Sequence, residues 1–358
     1  MSFDGIAIVE LLRKPKVVNT WQDSDWEALI EQAYHTGLLA RIYFILKDTG
    51  LLNNIPCYLS WHFTSAWKLF LAHNQDVQSE VERINGVLNS TGIKPTYLKG
   101  TAYLLEGLTC SKGRIFADVD VFVHGSELSQ AENILKWQGW TVKELDAHDQ
   151  HYYRNWMHEL PPMVNSKTGL TLDLHHNLLP IVSRVKLDSE LLLANLNEGE
   201  NSNTLSAEDK ILHSAIHLLL DGEFNHGFRD LHDIYLLIVE NQLQHEEFIS
   251  QLIARAIELN FEFILYHCLR LQQDIFLLKV DDDILNMLIK NKFSKMKANF
   301  IVSLFKAVLS PLPLKGRYNS ISLFTLFIRS HWLKMPLHIL VPHLVYKGFI
   351  APLKKKEE

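Results

Sequence analysis

The chain's 358 residues leave room for two domains of roughly 150 residues each and for a sizeable core. Hydrophobic residues make up 47% and charged residues 21%, which excludes wholesale disorder and collagen-like or coiled-coil architecture; three scattered cysteines (Cys57, Cys110, Cys268) exclude a disulfide framework or a cysteine-rich zinc module. The net charge of −6 is unevenly divided: from Asn286 onward 13 Lys and Arg stand against Glu357 and Glu358, a balance of +11, so the remainder carries −17. An acidic body with a basic, apolar end points to an anionic partner for that end.

The opening reads as helical from Trp21 to Leu46, with Ser24 or Asp25 as N-cap and Trp26, Leu29, Ile30 and Ala33 at helical spacing. A long amphipathic helix is predicted over Leu59–Leu88 from the stripe Trp67, Phe70, Leu71, Val77, Val81, Ile84 and Leu88. Thr96-Tyr97-Leu98 is a short extended run ending at Lys99-Gly100; Thr101–Leu108 then reads as helix and Thr109–Gly113 as a polar loop. Ala117–Val123 alternates as a half-buried strand does. Ser126–Trp137 is predicted helical, with strands at Trp140–Leu145, at Met157–Val164 (weakened by Pro161-Pro162) and at Gly169–His175. From Ser206 helices return: Ser206 caps with Asp209 three residues on, a variant of the capping box, followed by Asp230–Val239, Glu246–Leu259, Glu262–Leu278 and Asp283–Leu304. The expected fold is α+β, a small mixed-sheet core with flanking N-terminal helices and a C-terminal helical region. The expected division is residues 1–90 (N-terminal helices), 91–200 (α/β core), 201–310 (helical domain) and 311–358 (a basic apolar segment).

Asp118 and Asp120 carry the chemistry. Two apart on a strand, they emerge on one face while Val119, Val121 and Val123 enter the core. Paired carboxylates repel, so they need protons, Lys or Arg partners, or a divalent cation, and hard oxygen donors suit Mg²⁺. In Leu170-Thr171-Leu172-Asp173-Leu174 the acid again opposes the leucines, so pairing of the two strands would complete a three-carboxylate cluster. Such a cluster holds two cations about 3.5–4 Å apart in in-line displacements at phosphorus. Upstream, Lys99-Gly100-Thr101 forms a strand–glycine–helix junction suited to phosphate, with Lys99 adding a charge and Thr101 a hydroxyl.

Tyr97-Leu98-Lys99-Gly100-Thr101, Arg114, the run Ala117-Asp118-Val119-Asp120-Val121-Phe122-Val123 and Leu172-Asp173-Leu174-His175 together resemble the nucleotidyltransferase superfamily of DNA polymerase β type, and more closely the bacterial family of uncharacterised nucleotidyltransferases. The resemblance covers Lys94 to Leu178, with a looser likeness from His213 through Asp233. It implies a nucleotidyltransferase core in which Asp118 and Asp120 bind catalytic Mg²⁺ (two ions, with Mn²⁺ as an alternative) and Asp173 completes the metal site and helps deprotonate the acceptor. Gly100 and Thr101, with Lys99 and Arg114, would hold a nucleoside triphosphate, ATP being the expected donor. Gly-Thr stands here where the wider superfamily has Gly-Ser or Gly-Gly.

His213 and His217 share a helical face, but Ser214 stands where His-Glu-x-x-His needs Glu, so packing histidines are favoured over a zinc site. His175 shares the face of Asp173 and is a candidate for the metal shell or acceptor side, as are His217, Arg229 and Asp233. His232-Asp233 raises an HD-type metal phosphohydrolase as a third reading, which would leave the Asp-Val-Asp strand unexplained. Arg229 and Asp233 are expected in a charged contact between the helical region and the catalytic unit. Ser322–Leu353 mixes apolar residues with Arg329, Lys334 and Lys347, and prolines interrupt it, so a spanning helix is not expected. The segment suits either an anionic membrane surface or the chain's own acidic body, the latter favoured. The first residues carry Asp4 and Glu10 without a basic leader, so the expected location is cytoplasmic, with peripheral contact at the inner membrane as an alternative. Without a basic, aromatic-rich strand face no nucleic acid template is expected. The second functional reading is a non-catalytic scaffold or regulator on the same fold.

Overall fold

Alternation of valine and aspartate builds the central strand, and its neighbours follow from where the apolar faces must go. The protein, described here from a computed structural model over residues 2–142, 145–220, 222–289, 292–312 and 317–351, contains seven strands among these residues. They are β1 (Thr96–Tyr97), β2 (Asp118–Phe122), β3 (Trp140–Val142), β4 (Met163–Asn165), β5 (Thr171–His175), β6 (Leu196–Glu198) and β7 (Asn203–Leu205). One mixed sheet results, in the order β3-β4-β5-β2-β1-β7-β6. β2 runs parallel to β5 and antiparallel to β1, so the acidic strand is interior and not an edge. Val119, Val121, Leu172 and Leu174 are fully buried on the opposite face.

Helices flank this sheet in an α+β arrangement. The helix Ser60–Asn89 buries Phe63, Phe70, Val77, Val81, Ile84 and Leu88, a stripe with mostly three-, four- and seven-residue steps. The opening helical run divides into Asp23–Thr36 and Leu39–Asp48 at Gly37, and the first of these is capped at Gln22, whose N–H donates to Asp25 Oδ2 at 2.9 Å. Neither Ser24 nor Asp25 is the cap. The helix predicted from Thr101 begins at Lys99 and ends at Leu105. In the Met157–Val164 segment strand β4 takes in Met163 and Val164, while Glu159 makes an isolated bridge to His175; Pro161 and Pro162, which have no N–H to give a ladder, separate the two. A helix at Ala147–Asn155 and the β6–β7 hairpin were not anticipated. Lys143 and Glu144, within the predicted strand Trp140–Leu145, lie outside the described residues, as do Lys290, Asn291 and the terminal KKKEE.

The helix Ala207–Leu220 is buried around most of its circumference and stands at the centre of the helical layer. Ser206 accepts from Asp209 N at 3.3 Å, but the Asp209 carboxylate turns to Arg255 (2.8 and 2.9 Å), so the reciprocal half of the expected capping box is replaced by an ion pair. The stretch predicted as one helix over Asp283–Leu304 is two, Asp282–Met287 and Lys292–Val308. No helix among the described residues is long and apolar enough to cross a membrane.

Candidate active site

The parallel register of β2 and β5 sets Asp120 opposite Asp173 and Asp118 opposite Thr171. Residues paired this way share a face, so the two acids of β2 and the single acid of β5 converge. One carboxylate oxygen from each of Asp118, Asp120 and Asp173 lies within 4.8 Å of the others. Burial and the neighbouring charges of Glu159, Asp120 and Asp118 push the Asp173 carboxyl up to about 9. Asp118 is also raised, by burial and by Asp120, with Lys99 and a hydrogen bond from Asp173 pulling the other way. Asp120 goes down: burial opposes its charge, but Lys99 and His175 more than compensate. The triad of acids therefore shares protons where cations are not present to replace them.

Lys99 Nζ sits 2.8 Å from Asp120 Oδ1, and His175 Nε2 lies 3.0 Å from the same oxygen. Burial disfavours the ammonium, yet Asp120, Glu159 and Asp118 hold Lys99 charged well above its usual range. Its backbone is left-handed (φ +46°), a strained conformation for a side chain of this size and common at working sites. Glu159, which the sequence reading missed, reaches the same region because His158–Leu160 is pinned along the end of β5. The N–H of Leu160 donates to Leu174 O (2.9 Å), and those of His176 and Asn177 donate to His158 O (2.9 and 3.1 Å). A His-Glu pair just before two prolines was the available signal.

Gly100 has a specific reason to be glycine. A Cβ there would fall 2.3 Å from Arg114 Nη1 and 3.1 Å from the Phe116 ring. Gly113, at φ +71°, lies so close to the backbone of Arg41 that a Cβ would meet it at 2.3 Å. The two glycines let Arg114 thread between Tyr103 and Phe116 to Asp233, with Nε–Oδ2 at 2.6 Å. Arg41 Nη1 holds the other oxygen of Asp233 at 2.6 Å, and all three side chains are buried. Burial alone would raise the Asp233 pKa, but Arg41, Arg114 and Arg229 hold it below the usual range. Arg229 itself donates to Ile115 O (3.0 Å) and to Asp230. Arg229 and Asp233, both on the helix Gly227–Gln244, thus each reach across to the segment before β2, Asp233 through Arg114 and Arg229 through Ile115 O.

These pairings correct several expectations. Arg114, expected beside a triphosphate, pairs directly with Asp233 and Asp230 and reaches the strand acids only through its field at Asp118. Thr101 is fully buried, so its hydroxyl is no part of a phosphate-facing wall. Asp233 is taken up by two guanidinium groups and His232 faces Arg41 at 3.2 Å, so this pair forms no metal-holding group with other acids or histidines among the described residues.

Three cavities meet at Lys99. One of about 540 Å³ is walled by Gly100, Arg114, Phe116, Asp118, Asp120 and Arg229. A second of about 320 Å³ brings His217, Arg229 and Asp233 together with Tyr103 and Ser214. The third, about 220 Å³, is lined by Asp173, His158, Glu159, His217 and Lys334. His175 is fully buried against Asp120 and lines none of these three cavities. Burial and nearby cations depress the pKa of His217 and His213, so both rings stay neutral.

Searches of curated proteins and of solved structures return no match to the chain. The sequence pattern of one family does match, over residues 22–276, which contain the whole sheet, all three acids and the helices that bear Asp233 and His217. The chain belongs to the family of uncharacterised nucleotidyltransferases.

Proposed function

We propose that the protein is a Mg²⁺-dependent nucleotidyltransferase that moves a nucleoside monophosphate, AMP from ATP, to a hydroxyl on a small molecule, sugar or protein and releases pyrophosphate. The observation that carries this reading is the convergence of Asp118, Asp120 and Asp173 from two neighbouring parallel strands. The residues fit a hard cation: the donors are all carboxylate, and Asp173 Oδ1 is buried without a hydrogen-bond partner. Magnesium bound by these three acids would neutralise phosphate charge and favour in-line displacement at phosphorus. Lys99, kept charged and open to all three cavities, is suited to offset charge on the departing pyrophosphate. The triphosphate fits the larger cavity beside Gly100, Asp118 and Asp120, where Arg229 lends positive charge and Arg114 shapes the wall. Asp173 faces a different cavity with His217, the side from which an acceptor hydroxyl would enter and lose its proton.

The test is transfer of labelled nucleotide. Asp118→Asn and Asp120→Asn should each abolish labelling of any acceptor in a host lysate supplied with radiolabelled NTP; the thermal midpoint should stay unchanged or rise slightly in Asp118→Asn, whose carboxyl is raised by burial, and fall in Asp120→Asn, which takes from Lys99 its nearest carboxylate. Full activity in either variant would remove the metal assignment. A scaffold without catalysis would give no heat on titration with ATP and Mg²⁺. The same proposal extends to the C-terminal segment, whose outward apolar side chains and basic residues suit peripheral contact with an anionic membrane.

A further inference from the structure

Beside the acid triad, on its His175 flank, lies a second set of donors with different chemistry. His158, Glu159 and His175 each offer an atom within 4.8 Å of the other two. Glu159 Oε2 is 3.5 Å from His158 Nε2 and 3.6 Å from His175 Nε2. These separations are long for hydrogen bonds, but close to the edge of a tetrahedron whose corners lie about 2.0–2.2 Å from a central ion. The ring centroids of His158 and His175 are 5.3 Å apart and tilted by 39°, which lets both edges address one point.

The polar inventory points the same way. His158 is 7% exposed and His175 0%, and Nδ1 of each is buried without a hydrogen-bond partner. Glu159 is partly buried. Both rings address Glu159 through Nε2, so Nδ1 lies outside the donor set, and what a dication would offset is the excess of buried carboxylates. Four acids (Asp118, Asp120, Asp173 and Glu159) gather here, with the ammonium of Lys99 among them and that of Lys334 on the wall of the cavity that Asp173 and Glu159 line.

We infer that His158, Glu159 and His175 form a binding site for a transition-metal dication of the zinc type, separate from the all-carboxylate site of Asp118, Asp120 and Asp173. Two imidazoles and one carboxylate are a donor set that selects Zn²⁺ and its neighbours over Mg²⁺, whereas three carboxylates do the reverse. Three protein donors leave a position for water, supplied from the cavity of about 220 Å³ that His158 and Glu159 line. His175 Nε2 faces Asp120 Oδ1 at 3.0 Å; on ligation its proton moves to Nδ1, and Asp120 keeps Lys99 as partner. The ion would then stand next to Asp173 on the side assigned to the acceptor. The site is read from its own donors and stands whether or not nucleotide transfer does.

The experiment uses the full chain, stripped with chelator, reloaded with Zn²⁺ alone and desalted into buffer with millimolar Mg²⁺. One zinc per chain should remain in the wild type and in Asp118→Asn. His158→Ala and Glu159→Gln should each weaken zinc affinity by roughly a hundredfold or more, beyond the about 10–100-fold that loss of an outer partner costs. Circular dichroism of the metal-free forms checks that both variants fold. X-ray absorption of the zinc-loaded wild type needs no variant and should show two imidazole nitrogens with oxygen. Loss of all zinc from the wild type on desalting, an all-oxygen shell, or retention by folded His158→Ala and Glu159→Gln would overturn the inference. So would loss of zinc from Asp118→Asn, which would move the ion to the triad. Transfer activity that fails while zinc is held leaves the inference standing and strikes only at the reaction.

Discussion

Asp173 holds its proton to about pH 9 in the folded chain and to about 3.8 in its ordinary state, so folding takes up a proton across the interval between. Stability therefore falls as pH rises from about 4 through about 9, because the unfolded chain binds fewer protons there. Burial is the first cause, and the charges of Glu159, Asp120 and Asp118 add to it. Asn keeps the shape of the protonated acid and carries no charge to desolvate. Asp173→Asn should accordingly raise the thermal midpoint of chelator-treated protein at pH 8 and flatten its decline with pH. A midpoint lower than wild type at pH 8, or a wild-type profile with no slope, would contradict the shift. In the wild type alone, added Mg²⁺ should release a proton, which a weakly buffered indicator dye reads directly.

At the scale of elements, one buried carboxylate ties three segments together. Asp233, on the helix Gly227–Gln244, receives Arg41 from the helix Leu39–Asp48 and Arg114 from the loop before β2. Asp233→Ala leaves two buried guanidinium groups without their carboxylate, and removing one partner of such a set costs about 3–5 kcal/mol. Urea unfolding should show that loss, with the wild-type value regained in part by Asp233→Glu; a change below about 1 kcal/mol would mean the network is solvated. Asp233 was marked in the sequence as a charged contact of the helical region, but its partners were not legible, because they lie 119 and 192 positions from it and nothing local marks them. Arg114 could be picked out as a residue and not as an ion pair with Asp233. The acid triad was legible for the opposite reason: a two-residue period fixes the face, and strand pairing then leaves only the register open. The β6–β7 hairpin escaped notice because three-residue strands carry almost no period, and β7 owes its place to pairing with β1. The polar helix Ala147–Asn155 hides likewise. Its N-terminus is capped by Asp146 (2.8 Å to Asp149 N) and its side chains are met by the C-terminal segment, through Lys347 to Asp149 at 2.7 Å and His148 to His343 at 3.0 Å.

Across the whole molecule, charge and apolar surface are segregated, with +11 from Asn286 onward and −17 before it. Part of that segment does pack on the chain's own body. Arg329 donates to Leu219 O at 2.7 Å, Ser330 to Leu220 O at 2.6 Å, and the N–H of Arg184 to Leu333 O at 2.8 Å, which fastens the helix Arg317–Lys334 across the end of the helix Ala207–Leu220. Apolar side chains remain on its outside: Phe324 is 66% exposed, Ile328 52% and Trp332 46%, and Val341, Leu344 and Phe349 further along the chain are exposed as well. Packing on the body therefore accounts for one face of the segment, and the other stays exposed, the face that the proposed membrane contact would use. Removing a large apolar side chain from a membrane contact costs about 1.5–3 kcal/mol when its burial is complete. The triple variant Phe324→Ser, Trp332→Ser and Phe349→Ser should therefore lose vesicle binding by more than about tenfold while its sheet and acid triad stay intact, since none of the three side chains is buried. Flotation with phosphatidylglycerol vesicles measures it. Wild type should rise with the anionic vesicles, stay down with neutral phosphatidylcholine, and detach as salt is raised, because the basic residues act over about a Debye length. Wild type that stays down with both lipids, or a triple variant that floats as well as wild type, would leave the outer face without a membrane role and return the segment to a purely structural one.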